Sequence, residues 1–411
     1  MNASASPARR APTSRRGLAS LFLTFAGGYF LSYFLRSANA VLAPVLQAEV
    51  GLTPADLGFM TGALFGAYAA AQYPVGLMLD RWGPRWVAGA LMAIGALGCV
   101  LFATGSTTLT LTVARVLIGV GLGSVLLAGL KAFSLWWPPA RFATVAGLFF
   151  ATGSLGALAA ATPLALLEVA LGWRTVFWLS AVVVVAAAVL LVARIPSTPP
   201  RPSGTAAAAP MDRGAYLDIA RLMALQASFC GPTLAFQTLW AGPLLFDVFG
   251  YGAVQTGNLL VLMSLGVTAG YALSGVLADR FGLFAVTTAG ALTFAAVQVV
   301  LAWQVEALLP YAFALFGLAG GHCVLALTNA RRVLGSERSG RATGAVNAGG
   351  IGGVFVLQWG IGALVGASTD AADAYRLALS VTAALSLIGW LVYLPMRRRL
   401  GDETAAAGST R

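Results

Sequence analysis

Gly76–Arg85 reads GLMLDRWGPR, and Gly275–Gly282 reads GVLADRFG, nearly the same phrase 199 residues later. Each copy closes a long apolar run and opens a turn before the next one. Gly58 and Gly257, at the start of those runs, share the 199-residue offset. Arg141 and Arg341 repeat at an offset of 200, and Trp173-Arg174 and Tyr375-Arg376 at 202. Recurrence at nearly one offset, always between apolar runs, marks two halves built to one plan.

Composition says what the halves are made of. Of 411 residues, 59% are hydrophobic and 9% charged, with mean hydropathy +0.84. A soluble domain carries about 25% charged residues. Nine per cent cannot cover a particle of this size in water, so most of the surface faces lipid. A span needs about 20 apolar residues, and twelve such runs follow one another. The first six are Leu18–Leu46, Leu57–Leu79, Trp86–Ala103, Leu109–Leu130, Ala143–Leu171 and Thr175–Val192. The second six are Leu222–Phe246, Leu259–Leu277, Leu283–Val305, Leu308–Ala330, Ala342–Ala367 and Leu377–Leu394.

The expected chain is therefore an all-α membrane protein of twelve transmembrane helices. Residues 18–193 and 222–396 form two pseudo-symmetric six-helix bundles. A Pro-, Ala- and Arg-rich linker (194–221) joins them, with tails at 1–17 and 397–411. The first run is too long for a signal peptide's apolar core and reads as a span. All but five of the 25 Lys and Arg fall in the tails and loops of one side. That bias places both termini in the cytoplasm of a bacterial inner membrane. It also explains the net charge of +11 without nucleic acid. Two halves of equal orientation relate by an axis along the membrane normal.

These motifs resemble the major facilitator superfamily over essentially the whole chain outside the tails and linker. The family's signature loop matches Gly76, Asp80, Arg81, Gly83 and Arg85, with a shorter copy at Gly275, Asp279, Arg280 and Gly282. Arg115-x-x-x-Gly119-x-Gly121 is similar to its fourth-span motif. The resemblance implies secondary transport by alternating access, with both loops as cytoplasmic gates and a cavity lined by spans one, four, seven and ten. Gly76 is expected to let a neighbouring helix approach closely.

Charges inside a membrane are costly and point to function. Arg36 and Arg115 lie within spans, and none of the fourteen Asp and Glu lies at mid-membrane. Tyr29, Tyr33, Arg36 and Ala40 form one helical stripe, with Asn39 beside it. Unpaired guanidinium groups favour an anion, which Arg grips bidentately. The stretch Tyr29-x-x-x-Tyr33-x-x-Arg36 looks like facilitators of organophosphates and organic anions, in which a span-one arginine binds phosphate or carboxylate. Phosphate-carrying relatives add a span-seven arginine, absent here, which favours a carboxylate. On span seven, Gln226, Cys230, Thr233, Gln237 and Trp240 form a polar stripe, from which Gln237 and Trp240 are taken as substrate contacts. His322, the sole histidine, is the candidate proton carrier. Lys131 ends span four and is expected to snorkel. Cys99, Cys230 and Cys323 sit apart in apolar runs and read as small buried hydrophobes.

No nucleophile–His pair, phosphate-binding loop or metal-ligand spacing is present, so neither enzyme chemistry nor a cofactor is implied. The leading expectation is a monomeric, proton-coupled symporter of a small organic anion. An exporter of drugs, siderophores or other amphipathic compounds is the alternative, and a non-transporting receptor the remote one.

Overall fold

A computed structural model describes residues 15–196 and 212–400. Among them there is no strand, and helices account for nearly all of the chain. The helices are α1 (Arg15–Ser37), α2 (Asn39–Val50), α3 (Pro54–Thr104), α4 (Thr108–Trp136), α5 (Pro139–Ala159), α6 (Thr162–Leu171) and α7 (Trp173–Arg194). The second half has α8 (Arg213–Ala235), α9 (Ala241–Phe249), α10 (Ala253–Phe281), α11 (Leu283–Ala302), α12 (Leu309–Gly321), α13 (Val324–Ala367) and α14 (Ala371–Tyr393).

These helices make twelve crossings. At 1.5 Å per residue the 51-residue α3 is about 77 Å long, far more than a bilayer of about 30 Å. It is broken at Gly83, whose φ of 76° is left-handed, so it is spans two and three. The 44-residue α13 likewise carries the end of span ten and the whole of span eleven. Span one is α1 plus α2, span five is α5 plus α6, and span seven runs from Arg213 to Phe249. Exposed side chains on the bundle are large and apolar, such as Val182, Val185 and Val189 on α7. That is the surface a lipid solvent demands.

Three spans depart from regular α-helix. Span one breaks at Ala38. Span five bends by 44° before Pro163, which supplies no amide hydrogen. Span seven contains Pro232 and then a π-helical segment, Phe236–Trp240.

Packing repeats with the halves. Span one packs on span five and span three on span six, as span seven packs on eleven and span nine on twelve. Across the halves, span two meets span eleven and span five meets span eight, a pair that a twofold axis exchanges. The backbone repeats too. Gly83 and Gly282 both take positive φ in the duplicated loop, and Gly51 and Gly250 both cap the preceding span in the left-handed region. Trp173 Nε1 donates to Glu49 (3.0 Å), joining span six to the end of span one. Tyr375 Oη donates to Asp247 (3.1 Å), joining span twelve to the end of span seven.

The halves touch most closely at the end opposite the duplicated loops. A Cβ added to Gly58 would lie 2.4 Å from Gln358 O, and one on Gly242 would lie 1.6 Å from Ala40 O. Gly257 abuts Thr162 and Gly362 abuts Pro54 in the same way. Only hydrogen fits at these positions, so backbone meets backbone and closes this end. At the loop end a Cβ on Gly76 or Gly275 would meet nothing within 4 Å. The close approach expected at Gly76 is thus absent, because the tight helix contacts have been spent at the other end.

Candidate functional site

Between the halves lies a cavity of about 300 Å³. The N-terminal half contributes Tyr29, Tyr33, Arg36, Tyr68, Phe150 and Ser154. The C-terminal half faces them with Gln226, Cys230, Thr268, Tyr271, Cys323 and Asn347. Among the described residues, Arg36 is the only charged one in the lining.

Arg36 is 6% exposed. Its guanidinium carbon stands 4.4 Å from the Tyr33 ring centre, 5.2 Å from Tyr68 and 5.9 Å from Phe65. Such faces stabilise a cation without neutralising it. Nη2 donates to Ser32 Oγ at 3.0 Å, one helical turn back. Nε is buried without a partner. Among the described residues no carboxylate pairs with Arg36. Arg36 thus presents a guanidinium with spare donors at the cavity wall, without a counter-charge among the described residues. Tyr29 lies deeper, stacked on Phe149 at 4.6 Å, and makes edge contact with Tyr33 at 5.1 Å.

Other expected contacts lie elsewhere. Arg115 is fully buried outside the cavity, its Nη1 donating to Leu35 O at 2.7 Å. Leu35 is in the last turn of α1, where carbonyls lack intrahelical partners, so Arg115 serves the break in span one. Phe102 and Phe177 flank its guanidinium at 4.6 and 5.6 Å. Asn39 is also sealed in, donating to Thr61 Oγ1 at 2.6 Å. Gln237 donates to Ser264 Oγ at 3.2 Å, tying span seven to span eight. Trp240 Nε1 donates to Gln358 O at 3.1 Å, and its ring packs over Gly58 and Gly362. Trp240 therefore belongs to the closed end rather than the cavity lining.

His322 does not face the central cavity either. It lines a second cavity, of about 370 Å³, with exposed Phe281, Ala285, Thr293 and Leu315 on the outer face of the C-terminal half. Its Nδ1 lies 2.9 Å from Leu318 O. A carbonyl can only accept, so this nitrogen carries the hydrogen.

Sequence reading passed over Tyr68, Phe150, Tyr271 and Asn347. Single aromatic and amide residues in apolar runs carry no periodic signal. It also took the cysteines as distant from one another, whereas Cys230 and Cys323 come together in the cavity wall.

At the loop end, Asp80 pairs with Lys131 at 2.7 Å, so Lys131 bridges spans two and four rather than merely snorkelling. Arg81 and Arg85 lie over Trp82 and Trp86, at 5.6 and 4.8 Å. In the second copy, Arg280 lies over Phe281 at 5.3 Å. Asp279 is exposed and pairs with no base among the described residues.

This duplicated six-span plan around an interfacial cavity is that of a membrane carrier fold. The Major Facilitator Superfamily profile matches residues 25–356, and the chain belongs to that family. It is similar to the probable sulfoacetate transporter SauU of Cupriavidus necator, 32% identical over 36% of this chain and 35% of the relative. It is also similar to the hexuronate transporter of Bacillus subtilis, 28% identical over 38% and 37%. The matched stretch thus spans about a third of the length of these curated relatives. Among solved structures, a D-xylose–proton symporter superposes with TM-score 0.77 at 15% identity, covering 91% of this chain and 96% of that one. An inward-facing bacterial homologue of the human lysosomal transporter Spinster gives 0.74 at 16%, covering 95% and 98%. At such identities these likenesses speak for the fold alone.

Proposed function

We propose that this protein carries a small organic anion across the membrane by alternating access, with Arg36 as the anchor for the anion. The observation that carries this reading is the unpaired guanidinium of Arg36 between two halves that close tightly at one end only. Relatives named for sulfoacetate and hexuronate, both organic acids, agree with it. The excess of basic residues at the duplicated loops supports a cytoplasmic location for that end, and with it an outward-facing glycine seal. The gate residues Asp80, Arg81 and Arg85, with Asp279 and Arg280, then stand at the inner mouth. They are the groups to move when that mouth closes. Proton carriage by His322 loses its footing, because the ring opens on the outer face of the bundle.

Uptake of radiolabelled galacturonate and sulfoacetate into proteoliposomes tests this reading. Wild type is expected to move at least one of them. Arg36→Ala is expected to lose on the order of a hundredfold in rate, the worth of a charge-assisted bidentate contact. Undiminished transport by Arg36→Ala would sink the anion reading. So would movement of cationic dyes alone, which would favour the amphipath exporter that the aromatic lining of Tyr33, Tyr68, Phe150 and Tyr271 also allows.

A further inference from the structure

We infer that this chain works as an exchanger: it changes sides readily only with an anion bound, so one anion leaves for each that enters. The inference rests on the anion reading above and concerns how that same site is coupled.

Arg36 brings one positive charge to the cavity, and the groups around it can be named among the described residues. Ser32 and Tyr33 face it from its own helix, Phe65 and Tyr68 from span two. Tyr29, Cys230, Tyr271 and Cys323 complete the titratable lining. None of these side chains is a carboxylate. Among the described residues no Asp or Glu is in the lining, and the sole histidine opens on the outer face of the bundle. Asp80 is spent on Lys131 at the loop end. No side chain of the described cavity can cancel the guanidinium.

Every carrier must pass through a state closed at both ends. Closing around a lone cation strands it in a low-dielectric interior, where an uncompensated buried charge is strongly penalised. Closing around Arg36 and a monocarboxylate such as galacturonate buries a neutral, hydrogen-bonded unit instead, whereas the dianion sulfoacetate leaves one negative charge over. The bound anion thus lowers the barrier to crossing, and the empty carrier lacks that help. A carboxylate beside the arginine could take the anion's place on the return journey and release it on protonation. Here that group is missing, which separates this site from a proton-coupled one. Membrane voltage also acts on the empty carrier, which bears a net charge, and hardly on the loaded one.

The experiment uses full-length protein in proteoliposomes loaded either with unlabelled galacturonate or with buffer alone. Labelled galacturonate is outside, with sulfoacetate run in parallel. Initial uptake into loaded vesicles is expected to exceed that into buffer-filled ones at least tenfold, about 1.4 kcal/mol of barrier. An imposed pH gradient should leave that ratio unchanged. Rates within twofold of each other, or accumulation in buffer-filled vesicles driven by a pH gradient, overturn exchange while leaving the anion reading intact. Failure of both anions to move in either arm overturns the anion reading, and exchange with it. A second arm is Ser32→Asp, which sets a carboxylate where Ser32 Oγ now accepts from Arg36. Its loaded-to-empty ratio is expected to fall below threefold and to become pH-dependent. A folded Ser32→Asp protein that keeps the full tenfold ratio also overturns the proposal.

Discussion

Spans one and seven occupy equivalent places in the two halves, yet they present opposite chemistry to the cavity. Span one brings a cation ringed by aromatic faces, whereas span seven brings Gln226 and Cys230, which are uncharged. Around them the skeletons agree closely. Positive-φ glycines recur at 51 and 250 and at 83 and 282, and an aromatic donor ties span six to Glu49 as another ties span twelve to Asp247. The comparison teaches that the repeated parts are hinges, caps and contacts between halves. The parts that differ are those that face the cavity.

The largest expected effect tests the repeated part. Gly242→Val forces a branched side chain against Ala40 O, and transport should fall on the order of a hundredfold, since overpacking costs about 1–3 kcal/mol per site. Gly58→Val and Gly257→Val probe the two symmetry-related contacts. Both should impair uptake; if only one does, the twofold account of the seal is wrong.

Next, the two buried arginines separate by the kind of damage each does. Arg115→Leu strands the Leu35 carbonyl and should cost about 1–3 kcal/mol of stability, read as a lower melting temperature. Apparent substrate affinity should stay within about twofold, because the side chain lies outside the cavity. An affinity loss for Arg115→Leu matching that of Arg36→Ala would return Arg115 to the site.

Smaller still is the contrast between the two loops. Asp80→Asn breaks the pair with Lys131, an exposed contact worth less than about 1 kcal/mol, so uptake should slow by about three- to fivefold. Asp279→Asn, which has no such partner, should stay within about twofold. Equal slowing would show that the two loops act alike despite their different pairing.

The smallest effect concerns Glu49. Its carboxyl is held below the usual carboxylate range, first by the hydrogen bond from Arg174, then by that from Trp173. A depressed folded-state value means that the stabilisation is fully present above the ordinary carboxylate pKa. It fades as pH falls through the lowered value. The melting-temperature gap between wild type and Glu49→Gln should therefore narrow from about pH 6 to about pH 3. A gap that widens on acidification would contradict it.

Much of this was legible in the sequence, for physical reasons. Lipid demands apolar runs of fixed length, so the spans announce themselves, and duplicated turns carry duplicated glycines. Arg36 with Tyr29 and Tyr33 was legible because an intramembrane cation is rare and its neighbours fall at helical spacing. Gln237 and Trp240 were assigned to the cavity by continuing the stripe of Gln226 and Cys230 at regular helical steps. The π segment at Phe236–Trp240 adds residues to its turn and rotates everything after it. The stripe has already left the cavity at Thr233, whose place in the lining Leu234 takes, so Gln237 and Trp240 continue a course that turned away before the π segment. Arg115 and Asn39 were misplaced for a related reason. A charge in a run says that the side chain needs a partner, but the break at Ala38 that supplies the Leu35 carbonyl leaves no mark in the composition.

The contacts at Gly58, Gly242, Gly257 and Gly362 join the halves through main-chain atoms and uncharged side chains, and among the described residues no ion pair crosses the junction. Mobile ions weaken attraction between exposed charges over about 8–10 Å and leave van der Waals contact untouched. The two lips of this valve should therefore answer to different surroundings. The glycine contacts themselves should be indifferent to salinity, whereas the loop end, with its exposed Asp80–Lys131 pair and arginines, should respond to ionic strength.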